Sequence, residues 1–181
     1  MRIISGSCRG RPVKAVAGMK TRPTTDKVRE ALFHRIGPYF DGGSMLDLYS
    51  GSGAVGLEAL SRGMDHAVFV DEAQAAVKTI RANVKSLNMA ESAEIYRTDA
   101  AKAVRASARK NRQFDIIFMD PPYADQQVNT MLELIWGEQI LKADGLVIAE
   151  TSSDAVLQDS GAVYYYGGTK ITIWEADEIY G

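Results

Sequence analysis

From residue 44 onward, short apolar runs alternate with amphipathic helical stretches, and this alternation restricts the chain to repeated β-α units around a mostly parallel sheet. Ser44 to Tyr49 reads as a buried strand, Ala54 to Arg62 as a helix stopped at Gly63, and His66 to Asp71 as a second strand. Val77, Ile80, Val84 and Leu87 share one face of a helix spanning Ala73 to Leu87. A strand near Ala93 to Thr98, a helix near Ala100 to Lys110 and the strand Phe114 to Met119 follow. The pattern then gives a helix around Val128 to Leu141 and a strand from Leu146 to Thr151. Ala162 to Tyr166 and Lys170 to Ala176, joined through Gly167-Gly168-Thr169, read as a β-hairpin closing the sheet edge. A chain of 181 residues suits one such α/β core with a small appendage.

The appendage is the start of the chain. Arg2 to Ser5 and Pro12 to Val16 are β-like pieces around a Gly- and Arg-rich turn, so residues 1–20 form a candidate hairpin set apart from a main domain over 21–181. Thr24-Thr25 then cap a helix over Asp26 to Ile36, whose buried stripe is Val28, Leu32 and Ile36. Charge is segregated along the chain. Residues 1–35 hold nine Lys or Arg against two acids, whereas the rest holds twelve against twenty-one, although the net charge is only −2. Two readings stand: a basic surface for a polyanion, in which Arg9, Arg11, Lys14 and Lys20 would touch phosphates, or a solvated basic hairpin. Cys8 is the single cysteine, and the histidines, His34 and His66, lie far apart, so neither a disulfide nor a metal site is expected. No apolar run approaches the roughly 18–20 residues that span a bilayer, and the first residues lack the apolar stretch of a secretion signal. A soluble cytoplasmic protein, monomeric and without a membrane partner, is the expectation.

Between the strand at 44 and its helix stands Leu46-Asp47-Leu48-Tyr49-Ser50-Gly51-Ser52-Gly53-Ala54-Val55-Gly56. The spacing Gly51-x-Gly53-x-x-Gly56 lets a backbone turn sharply and approach a ligand that a Cβ would exclude. Asp47 precedes it at the strand end, and Asp71 ends the next strand, both facing the crevice where α/β sheets bind ligands. Asp71 suits two ribose hydroxyls and Asp47 a cationic amine, which S-adenosylmethionine has and a pyrophosphate lacks. The candidate cofactor is therefore S-adenosylmethionine rather than a nicotinamide dinucleotide. For Asp71 the alternative is a cap ahead of Ala73. For Asp99 a hydrogen bond to the adenine amine and a cap for the following helix stand side by side.

Phe118-Met119-Asp120-Pro121-Pro122-Tyr123 ends the fourth strand abruptly, because proline neither continues a central strand nor donates a ladder bond. A purine amine is a poor nucleophile, its lone pair being delocalised into the ring. Acceptors that draw its hydrogens out of plane localise that pair, and Asp120 with the Pro121 carbonyl would supply them. Pro122 fixes the turn, and Tyr123 would stack on the base, a contact worth about 1–3 kcal/mol. A carboxylate at position 120 favours guanine, which presents N1–H and N2–H side by side as a donor pair.

The sequence resembles a known family, the RsmD-type 16S ribosomal RNA guanine-N2 methyltransferases. The resemblance rests on Arg2-Ile3-Ile4-Ser5-Gly6 with Arg9-Gly10-Arg11, on residues 22–33 from Arg22-Pro23-Thr24-Thr25 to Leu32-Phe33, on residues 46–63, and on Asp120-Pro121-Pro122-Tyr123. It implies a class I, Rossmann-like, S-adenosylmethionine-dependent methyltransferase fold, a seven-stranded sheet with its last strand antiparallel. It also implies a basic N-terminal hairpin contacting RNA, and Arg22, Thr24 and Thr25 near a cofactor that Asp47, Gly51, Ser52, Gly53, Gly56, Asp71 and Asp99 would hold. The implied partner is 16S ribosomal RNA in the assembling small subunit, with the target base unstacked to reach the turn. Tyr49-Ser50 stands where the family commonly has Phe-Ala.

Rival readings share parts of this pattern. A DNA or RNA adenine-N6 methyltransferase uses the same cofactor and tetrapeptide, but the DNA enzymes usually carry an added recognition domain for which this chain has no room. A protein glutamine methyltransferase would normally have Asn at position 120. A non-catalytic RNA-binding assembly factor could keep the fold, and a nicotinamide dehydrogenase would bind NADH.

Overall fold

The computed structural model describes residues 1–18, 24–157 and 161–177. They fall into two compact units, Met1–Thr98 and Asp99–Gly181.

The first unit opens with a hairpin-like arm. Among the described residues a single bridge, Arg2 to Pro12, joins its two β-like pieces, extended by Ile3 N–H to Arg11 C=O at 2.9 Å and Val13 N–H to Met1 C=O at 2.8 Å. Ile3, Cys8 and Val13 are buried while Arg9, Arg11 and Lys14 are exposed, which is what an arm lying on a larger body requires. Helix α1, Asp26–Ile36, starts where Thr25 accepts the Val28 N–H at 3.2 Å and stops at Gly37. Its buried face is Val28, Arg29, Leu32 and Phe33, so a charged residue takes the place expected of Ile36 in the stripe.

Strands β1, Ser44–Leu48, β2, His66–Asp71, and β3, Ala93–Arg97, run parallel in the order β3-β2-β1. Helices α2, Ala54–Ser61, and α3, Gln74–Ser86, make the crossovers. All eight α2 residues are buried, which fits a helix apolar nearly all round. Val77, Ile80, Val84 and Leu87 are buried along α3 as the spacing predicts.

In the second unit, α4, Ala100–Arg109, is followed by β4, Phe114–Met119, α5, Ala124–Glu138, and β5, Leu141–Ser152. Helix α5 begins four residues earlier than its apolar pattern implies, because its first turn, Ala124 to Gln127, is polar and leaves no periodic mark. It ends at Gln139, whose backbone turns left-handed at φ 53°, and Leu141 starts a strand instead of finishing the helix. β4 pairs with β5 through Phe114 and Leu141, then through Ile116 and Leu146. That register shift takes up Lys142 to Gly145, which lie between the helix and the strand expected from the sequence but belong to β5. Strands β6, Ala162–Tyr166, and β7, Thr169–Glu175, form the expected hairpin, but it is β7 that pairs with β5, antiparallel, leaving β6 beyond it. The order in this unit is β4-β5-β7-β6, with β7 antiparallel to both β5 and β6. Among the described residues no helix is long and apolar enough to cross a membrane.

Candidate active site

The glycine turn gathers two carboxylates from neighbouring strand ends of the first unit. β1 stops at Leu48, one residue short of expectation, because Tyr49 already turns left-handed at φ 57°. Gly51 and Gly53 follow with φ of 59° and 82°, values that L side chains rarely adopt, and a Cβ added at Gly51 would meet nothing within 4 Å. The turn thus presents bare backbone to open space. At Gly56 the constraint is different, since a Cβ there would lie 2.4 Å from the Phe69 ring and 3.2 Å from Asp47 Oδ2. Only glycine lets α2 pack this close to β1 and β2.

Asp47 is buried in β1, and its Oδ2 accepts the Gly56 N–H at 3.2 Å. Burial pushes its pKa up to about 8; the Gly56 N–H works the other way, and the nearby Asp71 charge adds to the rise. Asp71 accepts the Gly51 N–H on Oδ2 and the Ala73 N–H on Oδ1, both at 2.9 Å. The contact with Ala73 is a local turn just ahead of α3, whose N-cap is Ala73 with no side-chain cap, so Asp71 does not cap the helix; the contact with Gly51 ties the same carboxylate to the turn. Each oxygen keeps a second lone pair for a ligand hydroxyl. Ser50, to which the sequence assigned no role, locks the base of the turn: its Oγ donates to Asp47 C=O at 2.6 Å and accepts the Val70 N–H at 2.9 Å. The carbonyl of Ser52 accepts Asn83 Nδ2 at 2.9 Å.

Thr24 is buried and Thr25 caps α1; Arg22 and Lys20 lie outside the described residues. Arg9 is exposed, Arg11 donates through its guanidinium to the Ser86 carbonyl, and the Lys14 backbone is held by Asn83. In the second unit Asp99 caps α4, its Oδ1 accepting the Lys102 N–H at 2.8 Å with Lys102 Nζ 3.2 Å from Oδ2, and the Lys102 N–H chiefly holds its pKa below the ordinary value. Asp120, half-buried, follows the last residue of β4. Pro121 is buried, Pro122 exposed, and Tyr123, 75% exposed, offers an uncovered ring just ahead of α5 while its N–H donates to Gln127 Oε1 at 3.1 Å.

A buried ionic hub escaped the sequence reading. Glu58, wholly buried on α2, accepts the backbone N–H of Ile4 at 2.9 Å and of Ser5 at 3.1 Å, Arg62 Nε at 2.8 Å and Arg29 Nε at 3.3 Å. Arg29 also reaches Asp26 at 2.9 Å and the Arg2 carbonyl, and Arg62 reaches the Pro38 carbonyl at 3.0 Å while lying over the Phe33 ring. The arm, α1 and α2 are joined at this point.

Strand order, glycine turn and strand-end acids define a class: the chain has the Rossmann-like fold of S-adenosylmethionine-dependent methyltransferases. An RNA methyltransferase from Salinibacter ruber, solved with S-adenosyl-L-homocysteine, superposes with a TM-score of 0.70 over 87% of this chain and 95% of its own, at 16% identity, a likeness of fold alone. A hypothetical protein from Thermus thermophilus superposes with a TM-score of 0.85 at 30% identity, covering 96% and 98%. The chain belongs to the family described as Conserved hypothetical protein 95, whose model matches residues 1–169. It is 49% identical over 160 residues to the putative rRNA methyltransferase YlbH of Bacillus subtilis, covering 88% of this chain and 87% of that one. It is 32% identical over 151 residues to the Ribosomal RNA small subunit methyltransferase D of Escherichia coli, covering 83% and 74%.

Proposed function

We propose that the chain transfers a methyl group from S-adenosylmethionine to the exocyclic N2 amine of a guanine in 16S ribosomal RNA of the assembling small subunit. The observation that carries the reading is the pair of carboxylates at the ends of β1 and β2, each tied to an N–H of the same glycine turn. The Escherichia coli relative, by its name, supports a small-subunit RNA substrate.

The residues fit the cofactor. Gly51, Ser52 and Gly53 offer backbone to it, Gly56 keeps the helix close, Asp71 accepts ribose hydroxyls, and Asp47 faces a cationic amine; Arg22, Thr24 and Thr25 flank it, and Asp99 would reach its adenine through whatever its cap leaves free. When bound, S-adenosylmethionine supplies a methyl group already activated on a sulfonium, so no metal is required. Asp120 and the Pro121 carbonyl accept hydrogen bonds from the amine, localise the nitrogen lone pair and offset the positive charge that develops on that nitrogen as its bond to the methyl carbon forms and the carbon–sulfur bond breaks; the nitrogen then loses one of its hydrogens as a proton, leaving a neutral methylamine on the base. Pro122 keeps the turn rigid, and Tyr123 stacks on the base. A carboxylate at 120 takes the guanine N1–H and N2–H together, a match that adenine lacks. Arg9, Arg11, Lys14 and Lys20 contact phosphates, which makes binding salt-dependent.

The raised pKa of Asp47 gives this reading a test. Below about pH 8 the carboxyl of the ligand-free protein holds its proton, and a cationic amine needs it ionised. Binding must then release a proton, so the affinity for S-adenosylhomocysteine, measured by calorimetry, should rise roughly tenfold per pH unit from pH 6 and level off near 8. The same raised value makes the folded, ligand-free chain the better proton binder between about pH 4 and 8, so its own stability falls as pH rises through that window. Asp47→Asn should flatten both profiles and weaken binding. An affinity that stays level or falls between pH 6 and 8 contradicts the assignment.

A further inference from the structure

The basic arm is held to the body at two places of different character. Its near part is tied to α2: Glu58 takes the Ile4 and Ser5 N–H groups, and Ser61 takes the N–H of Ser7 on its carbonyl at 2.8 Å and of Cys8 on its hydroxyl at 3.0 Å. Its far part is tied to α3 by the Arg11 guanidinium on the Ser86 carbonyl and, at Lys14, by the side chain of Asn83. Asn83, 1% exposed, accepts the Lys14 N–H on Oδ1 at 2.9 Å and donates Nδ2 to the Lys14 carbonyl at 3.0 Å. The same Nδ2 donates its second hydrogen to the Ser52 carbonyl, between the two left-handed glycines of the turn. Among the described residues Lys14 is the last point at which the arm hydrogen-bonds to the body. A buried amide with both hydrogens committed is costly to strand, so neither the arm at Lys14 nor the turn at Ser52 can shift without the other or without breaking a bond.

We propose that Asn83 is a positioning residue that couples the two ligands of the enzyme, because cofactor ordering the glycine turn also fixes the arm that grips RNA. The inference rests on the reading of the turn as the cofactor site and of the arm as an RNA contact. Coupling of this kind is reciprocal: if the cofactor tightens RNA binding by some factor, RNA tightens cofactor binding by the same factor.

The test is the affinity of the full chain for a transcript of small-subunit ribosomal RNA, measured by fluorescence anisotropy with and without saturating S-adenosylhomocysteine. In the wild type the cofactor product should tighten RNA binding about fivefold, the lower end of typical couplings. In Asn83→Leu, which fills similar volume without the three bonds, the ratio should fall to about one while each ligand still binds. Lys14→Pro removes a donor from the exposed arm without touching the core and should also lower the ratio. Lys14→Ala keeps the main-chain clamp, so it should weaken RNA binding yet leave the ratio at its wild-type value, a split that a merely structural role would not produce. A wild-type ratio of one, or a ratio unchanged in both Asn83→Leu and Lys14→Pro, overturns the inference. Failure of the wild-type chain to bind S-adenosylhomocysteine at all overturns the cofactor reading, and this inference with it.

Discussion

Asp120→Ala should lower kcat by about 10²–10³-fold, the usual scale for deleting one preorganised electrostatic contact to a developing charge. The effect should fall on kcat because the proposed role of the carboxylate matters most when the amine nitrogen becomes positive, whereas the uncharged ground-state base would also be held by stacking on Tyr123. Affinity for S-adenosylhomocysteine should be unchanged, since the turn that ends β4 is no part of the Gly51–Gly56 segment proposed to hold the cofactor. Asp120→Asn should lose nearly as much: its amide hydrogens oppose the guanine N1–H and N2–H, and its neutral oxygen offsets little positive charge. Single-turnover rates with saturating RNA and cofactor read the effect directly. A loss of less than tenfold would assign the chemistry to other groups.

Glu58→Ala is expected to cost about 3–5 kcal/mol of folding stability, the range for breaking a buried ion pair by removing one partner. Four donors converge on this carboxylate, two of them guanidinium groups on buried side chains, and truncation leaves them facing a cavity. Arg29 already has one buried nitrogen, Nη1, without a hydrogen-bond partner among the described residues, so it has little capacity to absorb another loss. The cost is a large share of the roughly 5–15 kcal/mol that holds a typical domain together. Urea unfolding should show a lower midpoint, and the arm, losing its Ile4 and Ser5 anchors, should become the first segment to exchange its amide hydrogens. A loss below about 1 kcal/mol would mean that the hub is solvated in solution.

What the sequence revealed and what it hid follow from the kind of signal each residue leaves. β2 and β4 are recovered to the residue, because apolar runs bounded by polar ends have few other solutions. Both ends of α5 are displaced: its polar first turn leaves no apolar mark, and Ile140 and Leu141 prolong the helical stripe beyond the left-handed Gln139 that ends it. Asp47, Asp71 and the glycines stand out through spacing alone. Glu58 and Arg29 do not, since a charge in a helix reads as solvent-facing, the Glu58–Arg62 pair four residues apart looks like a surface ion pair, and the partners that bury Glu58 lie 29 to 54 residues away. Asn83 carried a signal that went unused: it is a polar residue inside the apolar stripe of Ile80, Val84 and Leu87, where an unpaired amide would be expensive. Asp99 had two readings, and the structure shows the cap.

The most direct test of the proposed chemistry is to incubate the protein with labelled S-adenosylmethionine and, in parallel, undermethylated small ribosomal subunits, naked 16S RNA and DNA, then digest and identify the labelled nucleoside. Label in N2-methylguanosine from the ribosomal substrate is the result this account predicts. Label in N6-methyladenine, or none in any of the three, would contradict it.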